Sequence, residues 1–354
     1  MCNSSSVLVD ICGVQEVDWR GKKKATREFS EICHLLAKYN QGEKAKEWQK
    51  RYERSKDCGS FLLFGKKKGA SNLSKKLMLA NFCKDRFCPM CMWRRSIKFG
   101  YQLKKTLERS LKLYPDSKFL FLTLTEKNIE GTELKEAIKD INASYSRMFH
   151  YKRLSDDNMI LGTIRATECT FNKKKGNFNL HIHVLIQVSD SYFDTDKNYY
   201  VNQKEWQALW KKAAKLDYDP VVDIRTIHPN KKNGKDSLSA AVAEVAKYEV
   251  KSFEFININN IKLSMWLLDT YSQAFKGARK LGLSGILRKI KFELFTSNDE
   301  DELVHIDESS VSELSDGEIV FIQYEWNYQI GDYLEVKPSQ DLIEYVLSRR
   351  RRCA

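Results

Sequence analysis

Two apolar runs, Leu161 to Phe171 and Leu180 to Val188, stand on either side of the Lys- and Gly-containing stretch Asn172 to Asn179. β-Branched and leucine-rich runs joined through such turn chemistry read as the long strands of one antiparallel hairpin. A hairpin of this length needs neighbours, because two strands alone bury too little apolar surface. Lys118 to Thr125 supplies an earlier buried strand and Val221 to Ile227 a later one. Helical spacing over Leu134, Ile138, Ile141, Tyr145 and Phe149, around Trp206, Leu209, Trp210 and Ala213, and across roughly Ser237 to Ser252 predicts the intervening helices. The order is βαββαβα, which predicts an α+β fold: an antiparallel sheet with helices on one face, not a doubly wound parallel sheet.

The second strand contains Asn179-Leu180-His181-Ile182-His183-Val184-Leu185-Ile186. Side chains alternate along a strand, so His181 and His183 leave one face while Ile182 and Val184 enter the core. Taken alone, this is also the pattern of two surface histidines. Glu168, in Ile164-Arg165-Ala166-Thr167-Glu168-Cys169, can join them only if cross-strand partners have an odd index sum, for example Glu168 opposite His181 or His183. A one-residue slip would put the carboxylate on the other side. Two imidazoles and one carboxylate, with positions open to substrate oxygens, suit Mn²⁺ or Mg²⁺.

The segment Ser237 to Lys251 places Glu244 and Tyr248 four residues apart and Lys251 three further on, so the three share a helix face. A tyrosine beside a metal and a lysine can act as an oxygen nucleophile, and a nearby carboxylate can serve as a general base on water. An ordinary surface helix with a half-buried tyrosine has the same pattern. Tyr199-Tyr200 and Tyr271 lack such partners.

Nine cysteines in a chain without a signal peptide or an apolar run long enough to span a bilayer argue for a cytoplasmic protein with thiols or metal rather than disulfides. Cys83-Lys84-Asp85-Arg86-Phe87-Cys88-Pro89-Met90-Cys91 contains a Cys-x-x-Cys knuckle, and Cys58, followed by Gly59, is the best fourth ligand for a structural Zn²⁺. A redox role for the knuckle lacks the surrounding βαβ pattern. Cys2, Cys12, Cys33, Cys169 and Cys353 have no ligand spacing.

The net charge of +13 is unevenly placed, because Asp299 to Glu318 holds nine carboxylates and no Lys or Arg. The remainder is therefore more basic than the total suggests, which points to a nucleic-acid partner. Four regions follow: 1–57, helical and polar, with a helix over Thr26 to Arg54; 58–105, a zinc-binding module with a basic helix; 106–290, the sheet domain; and 291–354, an acidic stretch with a strand region from Ile319 to Val336.

Phe121-Leu122-Thr123-Leu124-Thr125, then Glu168 with His181-Ile182-His183, then Glu244-x-x-x-Tyr248-x-x-Lys251 resemble the three ordered motifs of HUH endonucleases. Cys58-Gly59 with Phe82 to Arg95 resembles, more narrowly, the Rep family of plasmid rolling-circle replication initiators from Gram-positive bacteria. The resemblance runs from about Cys58 to Lys251. It implies a site-specific single-strand DNA endonuclease and strand transferase that nicks the double-strand origin. His181, His183 and Glu168 would hold the Mn²⁺ or Mg²⁺, Tyr248 would form a 5′-phosphotyrosine intermediate, Glu244 would activate water at termination and Lys251 would neutralise phosphate charge. The implied partners are plasmid origin DNA, a host helicase and DNA polymerase, and a second copy of the chain as a homodimer. The alternatives are an HUH single-tyrosine transposase or relaxase, and a non-enzymatic zinc-containing DNA-binding protein.

Overall fold

The nine strands are β1 Phe61–Lys67, β2 Lys76–Ala80, β3 Lys118–Thr125, β4 Ile160–Asn172, β5 Asn177–Val188, β6 Val222–Thr226, β7 Leu281–Leu283, β8 Ile319–Asn327 and β9 Asp332–Val336 among the described residues. The computed structural model describes residues 18–70, 75–155, 159–194, 196, 199–227, 256, 258–295, 303–304 and 319–353. They fall into two compact units, one drawn from Met1–Lys98, Ile256–Met265 and Asp299–Ala354, the other from Phe99–Phe255 and Trp266–Asn298. No helix among them is long and apolar enough to cross a membrane.

The second unit is built on an antiparallel sheet of order β6-β3-β5-β4-β7. Its centre is the expected hairpin. Asn172 organises the turn, its side-chain oxygen accepting from the Lys174 and Lys175 amides, and Gly176 takes the left-handed φ of +70° that closes it. One face buries Leu120, Leu122, Leu124, Ile182, Val184 and Ile186. The helix Leu134–Phe149 packs there through Leu134, Ile138, Ile141 and Met148, and Tyr145 Oη lies 2.6 Å from Thr163 Oγ1. On the other face, Phe99, Leu103 and Leu107 of the helix Pro89–Leu113 pack with Phe119, Phe121, Ile164, Ala166, Leu185 and Leu287. At roughly 1.5–3 kcal/mol for each large apolar side chain buried, these layers fix the sheet's register far more firmly than its hydrogen bonds do. The α+β class with antiparallel sheets holds, but helices cover both faces of this sheet rather than the one expected, because Phe119, Phe121, Ile164 and Leu185 make the second face apolar as well.

The first unit carries a sheet of order β2-β1-β8-β9, in which Leu63 of β1 pairs with Gln323 of β8. Leu63, Met78, Ile319 and Val346 form its apolar cluster. The strand region Ile319 to Val336 is thus the β8–β9 pair. The single helix expected over Thr26 to Arg54 is two, Trp19–Tyr39 and Gly42–Ser55. Asn40 breaks it: its backbone is extended, its Nδ2 donates to Leu36 O at 2.7 Å, and Gly42 follows at φ +58°.

Just past β3, Glu126 faces Asp140 and Arg147 of the helix Leu134–Phe149. Burial raises its pKa from 4.5 to about 7; Asp140 adds to the rise and Arg147 opposes it. The fold therefore binds this proton more tightly than the unfolded chain does, so stability falls as pH rises from 4.5 to about 7 and stays lower above. Glu126→Gln is expected to stabilise the chain by about 1–2 kcal/mol at pH 8 and by almost nothing at pH 4.5. Thermal melts at the two pH values check this; an equal shift at both would contradict it.

Candidate functional site

The register places Glu168 of β4 opposite His181 of β5, Ala166 opposite His183, and Thr123 of β3 on the other side of His183. The odd index sum expected for the carboxylate is therefore the one adopted. Glu168 Oε2 lies 2.9 Å from Nε2 of both His181 and His183. The two rings meet edge to face at 5.0 Å, and His183 stacks on Phe121 at 5.7 Å. Glu168 and His183 are buried, and His181 is half-buried. Burial alone would raise the Glu168 carboxyl, but hydrogen bonds from the two imidazoles outweigh it and hold the group well below the usual carboxylate range.

Three donor atoms of this kind, all within 4.8 Å of one another, can hold one cation. Neighbouring ligands of an octahedral ion at about 2.1 Å lie about 3.0 Å apart, close to the observed nitrogen–oxygen separations. The residues fit a hard divalent ion. Each ring's second nitrogen also has a partner: His181 Nδ1 lies 2.5 Å from Asn179 Oδ1, and His183 Nδ1 lies 3.2 Å from Thr123 Oγ1. Such outer contacts set ring orientation. Both Asn179 and Thr123 sit in strings quoted above, yet nothing in their spacing marks them as contacts of the histidines.

Tyr248, Glu244 and Lys251 lie within 228–255, outside the described residues. Of the other tyrosines, Tyr271 is buried, its hydroxyl donates to Cys169 O at 3.2 Å, and burial pushes its phenol far up. It is a core residue, unsuited to act as an oxygen nucleophile. Burial likewise pushes the Cys169 thiol up to about 12.

In the first unit, Cys58, Cys83, Cys88 and Cys91 are all buried and converge within 4.8 Å. Cys58 Sγ lies 3.5 Å from Cys91 Sγ and 3.6 Å from Cys88 Sγ, and Cys83 Sγ lies 3.6 Å from Cys91 Sγ. A disulfide would need about 2.05 Å, whereas four thiolates around one Zn²⁺ sit about 3.8 Å apart. The set fits a tetrahedral ion. Backbone amides point at the sulfurs, Cys83 N to Cys58 Sγ at 3.3 Å and Lys84 N to Cys91 Sγ at 3.2 Å. Lys84 takes φ +60° to aim its amide, an uncommon conformation for a side chain with a Cβ. Gly59, at φ +68°, lets Met90 pack where a Cβ would stand only 3.0 Å from Met90 Cε.

The Cys88 thiol is shifted well down: burial opposes this, but hydrogen bonds from Cys58, Cys83 and Cys91 prevail. Thr26 Oγ1 lies 3.7 Å from its sulfur. Lys23 is fully buried beside the cluster, donating to Cys58 O at 2.9 Å. No linear pattern in the lysine-rich stretch Lys22 to Lys24 singles out the middle one.

A basic chain that presents an antiparallel sheet with a His-x-His and carboxylate cluster, together with a buried four-cysteine site, carries two candidate metal centres of different chemistry. The replication-protein family profile matches residues 74–334. A "Protein rep" of Lentilactobacillus hilgardii is 32% identical over 93% of this chain and 99% of its own length. One from Lactiplantibacillus plantarum is 37% identical over 88% and 93%, and one from Streptococcus pneumoniae is 35% identical over 89% and 91%. No solved structure matches. The chain belongs to the Rep family of plasmid replication proteins.

Proposed function

We propose that this chain initiates rolling-circle replication by nicking one strand at the plasmid double-strand origin and later rejoining it. The observation that carries the reading is the shared 2.9 Å approach of His181 Nε2 and His183 Nε2 to one carboxylate oxygen of Glu168 on a rigid hairpin. When bound there, Mn²⁺ or Mg²⁺ supplies Lewis-acid polarisation of a phosphate oxygen.

Tyr248 Oη attacks the scissile phosphorus, the bond from phosphorus to the 3′ oxygen breaks, and the released 3′-OH primes a host polymerase. The phenol's proton passes to solvent base, and Lys251 offsets the phosphate charge. The 5′-phosphotyrosine conserves the phosphodiester energy, so a later 3′-OH can reverse the step without ATP. Glu244 takes a proton from water when the adduct is to be released by hydrolysis. The four-cysteine set holds a structural Zn²⁺, and the basic surface, net +13 for the whole chain, binds origin phosphates with an affinity that falls steeply with salt. A helicase would expose the strand to be cut.

The test is covalent capture on a single-stranded origin oligonucleotide. The native chain with Mn²⁺ is expected to give a protein–DNA adduct; Tyr248→Phe should give none while still binding the DNA. Glu244→Ala should form the adduct and fail to release it hydrolytically. An adduct that persists in Tyr248→Phe would remove the assignment. A non-enzymatic DNA-binding protein would bind supercoiled plasmid and leave it uncut at any metal concentration.

A further inference from the structure

The chain of amides leading away from His181 has a direction. Asn177, Asn179, His181 and His183 alternate onto one face of β5. Asn128 joins them from the segment after β3, where Ile129 N donates to Phe178 O at 2.9 Å and Phe178 N donates to Ile129 O at 2.8 Å. These two backbone bonds pin Asn128 beside the row. Asn128 Nδ2 donates to Asn177 Oδ1 at 2.9 Å, and Asn179 Nδ2 donates to Asn128 Oδ1 at 3.0 Å. Asn179 therefore turns its Oδ1 toward His181, whose Nδ1 lies 2.5 Å away.

An amide oxygen can only accept, so His181 Nδ1 must carry a proton, and Nε2 is the nitrogen that can offer a lone pair to a cation in place of its hydrogen bond to Glu168. Nε2 is the nitrogen that faces Glu168, at 2.9 Å. A chain of the opposite polarity, with all three amides turned over, would donate to Nδ1, leave the proton on Nε2 and cancel this histidine as a ligand. His183 has no such directional partner on Nδ1 in Thr123, because a hydroxyl can donate or accept.

We propose that Asn179, held by Asn128, is a positioning residue that fixes the ligand tautomer of His181. This rests on the metal-centre reading given above. It makes the site pre-formed for a cation at this imidazole, and it assigns a role to an asparagine two residues before His181.

The probes are Mn²⁺ and Mg²⁺ alone, with the full chain and no DNA. Mn²⁺ affinity is measured by titration calorimetry. The ring proton of His181 is located by ¹⁵N NMR in the Mg²⁺-saturated chain, with the signal assigned by its loss in His181→Gln. The native chain is expected to carry the proton on Nδ1. Asn179→Ala should weaken Mn²⁺ binding roughly 10- to 100-fold, the usual span for an outer partner of a ligating histidine. Asn128→Ala should weaken it less, and Asn128→Asp, which can only accept from Asn179, should keep the Nδ1 proton and near-native affinity. The Asn128 pair also decides the matter if Asn179→Ala does not fold.

Unchanged Mn²⁺ affinity in both alanine variants overturns the proposal and leaves the metal centre standing, whereas a proton on Nε2 in the Mg²⁺-saturated native chain overturns it and removes His181 from the ligand set. A native chain that binds neither ion removes both together. Variants that behave as expected in a chain that never nicks DNA would retain the tautomer assignment and remove the nuclease reading alone.

Discussion

Replacing His183 with alanine is expected to slow Mn²⁺-dependent nicking of a single-stranded origin oligonucleotide by roughly 10³-fold or more, beyond the 10- to 100-fold typical of losing an outer partner. The change removes one of three candidate ligands and one of the two imidazoles that hold Glu168 in its charged form. It also removes a ring that packs on Phe121, so a stability loss of about 1–3 kcal/mol should accompany it. The two effects separate experimentally. Single-turnover rates across a Mn²⁺ titration report the ligand loss, and thermal melts report the packing loss. His183→Gln, closer in volume, should recover part of the stability and little of the rate. Nicking at the native rate in His183→Ala would end the assignment of this cluster to catalysis.

The second large effect concerns the four-cysteine set. Cys88→Ser is expected to lower the stability of its own unit by at least about 3–5 kcal/mol and to abolish stoichiometric zinc measured by elemental analysis. All four sulfurs are buried, so a missing ion would leave three thiols packed together with no charge to satisfy and the aimed amides of Cys83 and Lys84 without their acceptors' full charge. A strong chelator should reproduce the loss in the native chain, whereas Cys2→Ser should leave zinc content unchanged. Retention of one zinc per Cys88→Ser chain, with an unshifted melting temperature, would exclude the structural-zinc reading. His183→Ala should keep its zinc, which separates the two centres chemically.

The candidate metal cluster on the hairpin was legible because strand alternation is a local rule. Once Glu168, His181 and His183 are placed on a hairpin, only two classes of register matter; the sequence left that choice open, and the structure pairs Glu168 with His181. The strand Lys118 to Thr125 and the helix beginning at Leu134 were legible for the same reason. The partnership of β1 with β8 was not. Phe61 pairs with Glu325, and no short-range periodicity encodes a contact across such a separation. Lys23 and Thr26, which meet the cysteine cluster from a helix far upstream, were hidden likewise. Asn40 escaped notice because its effect on the helix depends on a side-chain bond back to Leu36 that composition alone does not reveal.

The β1–β8 pairing also sets a timetable for synthesis. Strand β1 leaves the ribosome unable to complete its sheet until about 250 further residues have followed, roughly 10–50 s at bacterial elongation rates. By the end of that interval, once β7 has been made, the sheet that carries His181 and His183 has all five of its strands available, while the first unit still lacks β8 and β9. The middle of the gene product is thus free to reach its native state before the part encoded ahead of it. Nascent chains arrested before Ile319 should contain a finished central sheet and an unfinished cysteine-bearing partner.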